Sequence, residues 1–135
     1  MEYSTLDKLG VRVSRLGFGC MRFPLTAEGK IDEPRAAAML DTAYKAGVTY
    51  YDTAYFYHQH TGEAFLGRAM KRYPRDTFYL ATKMPMSIVE SLDHAKEIFE
   101  GQLAALQTDY VDFYLLHAVN VKRWKQAQEL GIVEY

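Results

Sequence analysis

Short runs of apolar and aromatic residues alternate along the chain with longer stretches whose apolar residues recur every three or four positions. Short runs of this kind are typical of buried strands, and the longer spacing is typical of helices with one apolar face. The predicted strands are residues 16–21, 48–52, 77–83 and 110–116. The predicted helices are residues 32–47, 61–70, 91–107 and 121–130, and residues 131–135 predict the beginning of one more. Strands that alternate with helices form parallel sheets with right-handed crossovers, so the pattern predicts an α/β fold.

Residues that favour helix ends mark the boundaries of three of these helices. Asp32 and Pro34 predict the start of the first helix, and Gly47 predicts its end. Thr61 and Ser91 are the predicted N-caps of the next two helices, because their hydroxyl oxygens can accept hydrogen bonds from unpaired backbone N–H groups.

Smaller features lie towards the two ends of this pattern. Residues 3–6 and 11–13 flank a turn that contains Gly10, and they predict a small hairpin ahead of the sheet. The helix predicted at 121–130 is mostly polar, and we expect its one large aromatic residue, Trp124, to anchor it to the core.

Three successive predicted strands end in side chains that can take part in catalysis. These are Asp52, Lys83 and His117, and Tyr57 follows Asp52 in the next loop. Parallel strands place their carboxyl ends at the same edge of a sheet, so we expect the four side chains to converge at that edge, which we call the mouth of the sheet. Simpler roles are open to each of them. Asp52 could cap a loop and Tyr57 could pack in the core, while Lys83 could be a surface cation and His117 a core residue.

Acid–base chemistry follows from these residue types if they meet. A phenol is a weak acid at neutral pH, and a lysine cation beside it favours its ionised form. A buried lysine needs a counter-ion, which Asp52 can supply. A histidine can hydrogen-bond a substrate oxygen and orient it. Such a site can protonate a carbonyl oxygen, with Tyr57 as the general acid, while a hydride donor attacks the carbon.

Composition argues against several other classes of protein. The 135 residues carry a net charge of -1 without a basic stripe, so we expect no nucleic-acid partner. No apolar run approaches the ~20 residues of a membrane helix, and no secretory signal is visible, so we expect no membrane partner and a cytoplasmic location. The one cysteine, Cys20, cannot form an internal disulfide and fits a reducing compartment.

Five motifs along the chain form a specific set. They are Leu16-Gly17-Phe18-Gly19-Cys20-Met21-Arg22, Tyr51-Asp52-Thr53-Ala54-x-x-Tyr57, Ala81-Thr82-Lys83, Thr108-Asp109-Tyr110-Val111-Asp112 and Leu115-Leu116-His117. With these motifs the chain resembles the N-terminal half of an aldo-keto reductase of the bacterial type. The resemblance implies a (β/α)8 TIM barrel fold. It also implies an enzyme that uses NADPH to reduce a small-molecule carbonyl substrate, either an aldehyde or a ketone.

The resemblance also implies roles for individual residues. Its catalytic tetrad would be Asp52, Tyr57, Lys83 and His117, with Tyr57 as the general acid. Its cofactor contacts in this part of the chain would be Met21, Arg22 and Asp52. His58 stands where the family usually has glycine, so we expect the loop after Tyr57 to differ locally.

The length of the chain departs from the family pattern. A complete barrel takes ~250 residues. We therefore expect residues 1–135 to form a single domain that is a partial TIM barrel, with the hairpin, about four parallel strands and three to four helices. We also expect a truncated protein whose open sheet edges promote self-association. The alternative to a reductase is then a non-catalytic half-barrel that cannot hold cofactor alone.

Two other chemistries have weaker support in the sequence. His58 and His60 are two residues apart, but no third ligand has a convincing spacing, so we expect no metal site. Cys20 has no basic partner at a definable position, which argues against a thiol nucleophile. The residues do not identify which carbonyl compound would be the substrate.

Overall fold

The computed structural model of the protein describes residues 1–135. A hairpin precedes four strands that alternate with four helices. The strands are β1 (Tyr3–Leu6), β2 (Val11–Ser14), β3 (Phe18–Gly19), β4 (Tyr50–Asp52), β5 (Tyr79–Met84) and β6 (Phe113–Leu116). The helices are α1 (Glu33–Lys45), α2 (Gly62–Met70), α3 (Leu92–Leu106) and α4 (Val121–Glu129). Three short 3-10 turns lie at Asp7–Leu9, Cys20–Arg22 and Arg75–Thr77.

Strands β3 to β6 form one parallel sheet in the order of the chain. In its register Asp52 pairs with Ala81, and Lys83 pairs with Leu115. Strands β3 and β6 are the edges of the sheet, while β1 and β2 pair with each other in antiparallel fashion. The predicted α/β fold, the parallel sheet and the N-terminal hairpin are thereby confirmed. None of the helices is both long enough and apolar enough to cross a membrane.

The helix ends follow the sequence signals at three of the four predicted positions. Asp32 and Ser91 cap α1 and α3 by accepting a hydrogen bond from the backbone N–H three residues later, at 3.2 and 3.1 Å. Gly47 follows the end of α1 with a φ of +87°, a conformation that glycine adopts without strain. Thr61 is the exception, because its hydroxyl donates to the His58 carbonyl oxygen at 2.7 Å instead of capping α2.

The first strand of the sheet is shorter than predicted. Only Phe18–Gly19 pairs with β4, and the chain then enters the 3-10 turn at Cys20–Arg22. This turn leaves the Cys20 side chain fully buried and Met21 exposed. Burial of Cys20 therefore accounts for the path of the chain where β propensity alone predicted a longer strand.

The region after α4 also differs from the prediction. Gly131 has a φ of +71°, and the N–H of Ile132 donates to the Ala127 carbonyl oxygen at 2.9 Å, so this segment closes α4 and does not begin a new helix. Ala127 is fully buried, whereas Trp124 is 43% exposed. The expectation that Trp124 anchors α4 was wrong, because the small Ala127 lets the helix approach the core closely.

The helices cover one face of the sheet, which we call the outer face. Tyr51 of β4 and Leu80 of β5 point to this face and pack with Leu40 of α1 and Leu66 of α2. Burying an apolar side chain of this size contributes about 1.5–3 kcal/mol. Since side chains alternate along a strand, their sequence neighbours point to the opposite face, which we call the inner face.

Helices α2 and α3 approach each other at a glycine. A β-carbon added to Gly67 of α2 would lie 2.5 Å from the carbonyl oxygen of Leu106 at the end of α3. No real side-chain atom is tolerated at that distance from backbone without a shift of one of the helices. The close contact of α2 with α3 therefore depends on the absence of a side chain at residue 67.

We expect Gly67→Ala to lower the free energy of unfolding by about 1–3 kcal/mol, because the added methyl group overpacks the helix contact. The measurement is urea unfolding followed by circular dichroism. Gly101→Ala on α3 is the matched control, since an added β-carbon there meets nothing within 4 Å. It should raise stability by up to about 1 kcal/mol through helix propensity. Equal stability of the two variants would contradict this account.

Candidate active site

An ion pair between Lys83 and Asp52 lies at the carboxyl edge of the inner face. The Lys83 Nζ donates to Asp52 Oδ1 at 2.6 Å and to the Thr53 carbonyl oxygen at 2.7 Å. The lysine and aspartate side chains are only 14% and 29% exposed. Strand register explains the contact, because Asp52 lies beside Ala81 and Lys83 follows two residues later on the same face. Partial burial strengthens the attraction between the two charges by lowering the local dielectric constant.

Tyr57 lies against this ion pair. The chain turns directly after β4, and the Tyr57 N–H donates to the Ala54 carbonyl oxygen at 3.1 Å. The turn places the Lys83 Nζ 5.2 Å from the centroid of the Tyr57 ring. An ammonium group has three N–H donors, and Asp52 and Thr53 accept from two of them. One donor of Lys83 therefore remains for a further acceptor.

His117 completes the group from the end of β6. Its ring centroid is 6.0 Å from that of Tyr57, and the two rings are nearly perpendicular at 87°. The His117 Nδ1 is buried and has no hydrogen-bond partner. Burial lowers the pKa of His117, and the Lys83 cation lowers it further, although the Asp52 carboxylate acts in the opposite direction. The imidazole is therefore neutral at pH 7, and its Nδ1 has no hydrogen-bond partner within the chain.

The structure thus brings together the four side chains that the strand ends predicted. The two other predicted cofactor contacts, Met21 and Arg22, lie on the 3-10 turn after β3, and both are exposed. This turn borders the loop after Tyr57, because the His58 Nε2 lies 3.2 Å from the Cys20 carbonyl oxygen. The role of Met21 and Arg22 in cofactor binding stays a prediction.

The loop after Tyr57 has an unusual backbone. His58, Gln59 and His60 have φ values of 52, 56 and 67°, in the left-handed region that costs a side-chain-bearing residue about 1–2 kcal/mol. The His58 ring stacks on Phe23 with the ring centroids 5.5 Å apart, and the contact of its Nε2 with the Cys20 carbonyl oxygen also holds the loop in place. The φ of His58 is one that glycine adopts freely, which explains how a glycine would fit at this position.

A buried polar network, which the motifs and strand ends did not predict, lies on the outer face behind Lys83. Glu63 of α2 accepts hydrogen bonds at Oε1 from Thr82 Oγ1 at 2.5 Å and from Gln102 Nε2 at 2.7 Å. The Gln102 Nε2 also donates to the Lys83 carbonyl oxygen at 3.1 Å, and the Tyr114 hydroxyl donates to Gln102 Oε1 at 2.7 Å. Burial raises the pKa of Glu63, while the bonds from Thr82 and Gln102 act against that rise.

One signal in the sequence could have revealed part of this network. Gln102 takes the place of an apolar residue between Ile98 and Leu106 on the buried face of α3. A buried amide requires hydrogen-bond partners, so its position predicts polar groups on the elements packed against that face. The spacing does not show that the partner is Glu63, which is 39 residues away.

The other candidate ligands and nucleophiles do not form a cluster. The His58 ring faces Phe23, whereas the His60 ring meets Tyr55 edge-on at 4.8 Å. No three histidine, cysteine, aspartate or glutamate side chains lie close enough together to hold a metal ion. Burial raises the pKa of the Cys20 thiol far above neutral, so the thiol is protonated at pH 7.

Comparison with known proteins gives a consistent result. The model of the aldo/keto reductase family matches residues 15–128. A probable aldo-keto reductase 1 from Glycine max is 30% identical to 96% of this chain, which covers 42% of that protein. The aldo-keto reductase YhdN from Bacillus subtilis strain 168 is 34% identical to 87% of this chain, which covers 38% of it. This chain therefore spans about two fifths of the length of these curated relatives.

Solved structures agree on the architecture. The holo form of an aldo-keto reductase from Bacillus halodurans has a TM-score of 0.74 and 30% identity over 98% of this chain, which covers 48% of that structure. An aldo-keto reductase from Klebsiella pneumoniae in complex with NADPH has a TM-score of 0.72 and 26% identity, with 99% of this chain and 47% of that structure covered. The four parallel strands and their helices are thus part of a TIM barrel, as predicted. This chain belongs to the aldo/keto reductase family.

Proposed function

We propose that this chain carries the proton-transfer site of an NADPH-dependent reductase that acts on an aldehyde or a ketone. The observation that supports it is the position of the Lys83 ammonium, whose Nζ is 2.6 Å from Asp52 Oδ1 and 5.2 Å from the centroid of the Tyr57 ring. The proposal assigns the general-acid role to Tyr57. The proposed reaction class, reduction of a carbonyl compound, is that of the aldo-keto reductases to which this chain is similar. The K. pneumoniae structure is one that contains NADPH.

In this mechanism each side chain has a separate task. Tyr57 donates its hydroxyl proton to the carbonyl oxygen of the substrate as negative charge develops there. Lys83 stabilises the phenolate that is left, and Asp52 keeps the lysine charged and oriented. Neutral His117 hydrogen-bonds the substrate oxygen and directs it towards Tyr57. Solvent then returns a proton to the Tyr57 oxygen.

The residues at the mouth have chemistry that suits the cofactor. Lys83 engages Asp52 through Oδ1, so Oδ2 is left to accept a hydrogen bond from a ligand hydroxyl or amide. Met21 and Arg22 offer an apolar chain and a cation at the neighbouring turn. We propose these three residues as cofactor contacts. NADPH, when bound, supplies the hydride that adds to the carbonyl carbon.

A second proposal is a non-catalytic partial barrel that retains the four side chains without holding cofactor. It is supported by the length comparison, because this chain covers only 38–42% of the two curated relatives. Isothermal titration calorimetry with NADPH separates the two proposals. Saturable binding favours the reductase, and an absence of binding at millimolar cofactor favours the non-catalytic alternative.

We expect Tyr57→Phe to lower kcat for an aromatic aldehyde by about 100-fold or more, because general acid catalysis contributes 10²–10⁴-fold. Its dissociation constant for NADPH should not change. Tyr110→Phe is the control, since Tyr110 lies before β6, away from the carboxyl ends of the strands. An active Tyr57→Phe variant would falsify the assignment of Tyr57 as the acid.

We expect the pKa of His117 to lie below the ordinary value of 6.5, because protonation would add a partly buried charge beside Lys83. NMR titration of the imidazole resonances measures it. Lys83→Met should raise this pKa, since it removes the neighbouring cation, whereas Lys8→Met on the hairpin should leave it unchanged. A midpoint at or above 6.5 in the unmodified protein would contradict the electrostatic argument.

We also propose that the chain self-associates through its open sheet. Strands β3 and β6 each pair on one side only, and Leu115 on the inner face of β6 is 40% exposed. Unpaired strand edges beside exposed apolar residues favour association with another chain.

Leu115→Lys should weaken this self-association, because a charge on the inner face opposes burial of that face. Sedimentation velocity over a range of concentrations measures the association. Leu9→Lys is the control, since Leu9 is 64% exposed in the hairpin turn, outside the parallel sheet. A monomer at all concentrations would rule out the proposal.

A further inference from the structure

The first residue of α2 lies directly against the backbone of Tyr57. The Gly62 N–H donates to the Tyr57 carbonyl oxygen at 3.1 Å. A β-carbon added to Gly62 would lie 3.0 Å from that oxygen and 3.2 Å from the β-carbon of Tyr57. Any side chain at residue 62 would therefore press on Tyr57.

The second residue of α2 is tied to the strand that carries Lys83. The Glu63 Oε1 accepts from Thr82, the neighbour of Lys83 in β5, and from Gln102. The same Gln102 amide donates to the Lys83 carbonyl oxygen. Glu63, Thr82 and Gln102 are all at most 5% exposed, so water cannot replace these bonds.

The loop between Tyr57 and α2 cannot hold this geometry by local preference. His58, Gln59 and His60 all have left-handed φ values, which residues with side chains avoid. Strained backbone of this kind persists only where the surrounding contacts determine it. Gly62 supplies one such contact at the end of the loop.

We propose that the start of α2, Gly62 and Glu63, is a positioning element that sets the separation of Tyr57 and Lys83. Gly62 holds Tyr57 from the side of the loop, and Glu63 holds Lys83 through Thr82 and Gln102. Neither residue is assigned contact with substrate. This inference rests on the proposed function, because it uses the roles proposed there for Tyr57 and Lys83 in proton transfer.

A purely structural role predicts a different pattern of effects. Gly67 lies on the same helix but faces α3. A β-carbon added to Gly67 would lie 2.5 Å from the Leu106 carbonyl oxygen, which is closer than any contact of a β-carbon added to Gly62. Gly67→Ala should therefore cost at least as much stability as Gly62→Ala without acting on Tyr57. The pair of variants separates loss of stability from displacement of the tyrosine.

The experiment is NMR of protein labelled with ¹³Cζ-tyrosine, without cofactor, at pH 7. The Tyr57 resonance is assigned by its loss in Tyr57→Phe, and Lys83→Met gives its position without the cation. Gly62→Ala should move the resonance towards the Lys83→Met position, while Gly67→Ala and Gly101→Ala leave it in place. Urea unfolding of each variant gives the matching stability.

Glu63 provides a test that does not depend on Gly62. Glu63→Gln keeps an oxygen that can accept from Thr82 and Gln102, so the Tyr57 resonance should stay near its original position. Glu63→Ala removes the acceptor and should move the resonance. The proposal is overturned if Gly67→Ala moves it as far as Gly62→Ala does, or if Glu63→Gln and Glu63→Ala act alike.

The outcome is independent of catalysis. The resonance reports on geometry in the free protein, whereas the proposed function is tested by NADPH binding and by the kcat of Tyr57→Phe. A chain without reductase activity can therefore still show the expected pattern for Gly62 and Glu63. If the chain is an active reductase and Gly62→Ala does not move the Tyr57 resonance, the proposed function stands and the positioning proposal is wrong.

Discussion

The ion pair between Lys83 and Asp52 is the interaction on which the arrangement of the site depends. Both charges are partly removed from water, so removing one partner would leave the other without its counter-ion in a partly buried place. The contact requires β4 and β5 to keep their register, since a slip of one residue would turn one of the two side chains to the outer face. Tyr57 and His117 are placed relative to this pair.

Strand β5 connects the site to the core. Its alternation sends Lys83 to the inner face and Thr82 and Met84 to the helix-covered outer face. Packing and hydrogen bonding on the outer face therefore fix the backbone from which Lys83 extends. The Glu63–Thr82–Gln102 network is the polar part of that support, and the apolar cluster around Met84 is the other part.

Much of the fold could be predicted because the strands and helices have clear hydrophobic periods and several clear end signals. Asp32, Gly47 and Ser91 mark helix ends by local chemistry, which neighbouring segments do not override. Predictions that depended on packing were less successful. Trp124 was expected to anchor α4, yet it is 43% exposed, and the fully buried residue of that helix is Ala127.

The sequence by itself determined which side chains come to the mouth of the sheet, because strand period and parallel pairing place Asp52, Lys83 and His117 at one edge. The motif set also determined the family. Only the tertiary structure decided how those side chains are supported. The contact of Glu63 with Gln102 joins elements far apart in the chain, and that of Gly62 with Tyr57 depends on the path of the loop between them. Such contacts depend on how helices dock on the sheet, which no local pattern of residues specifies.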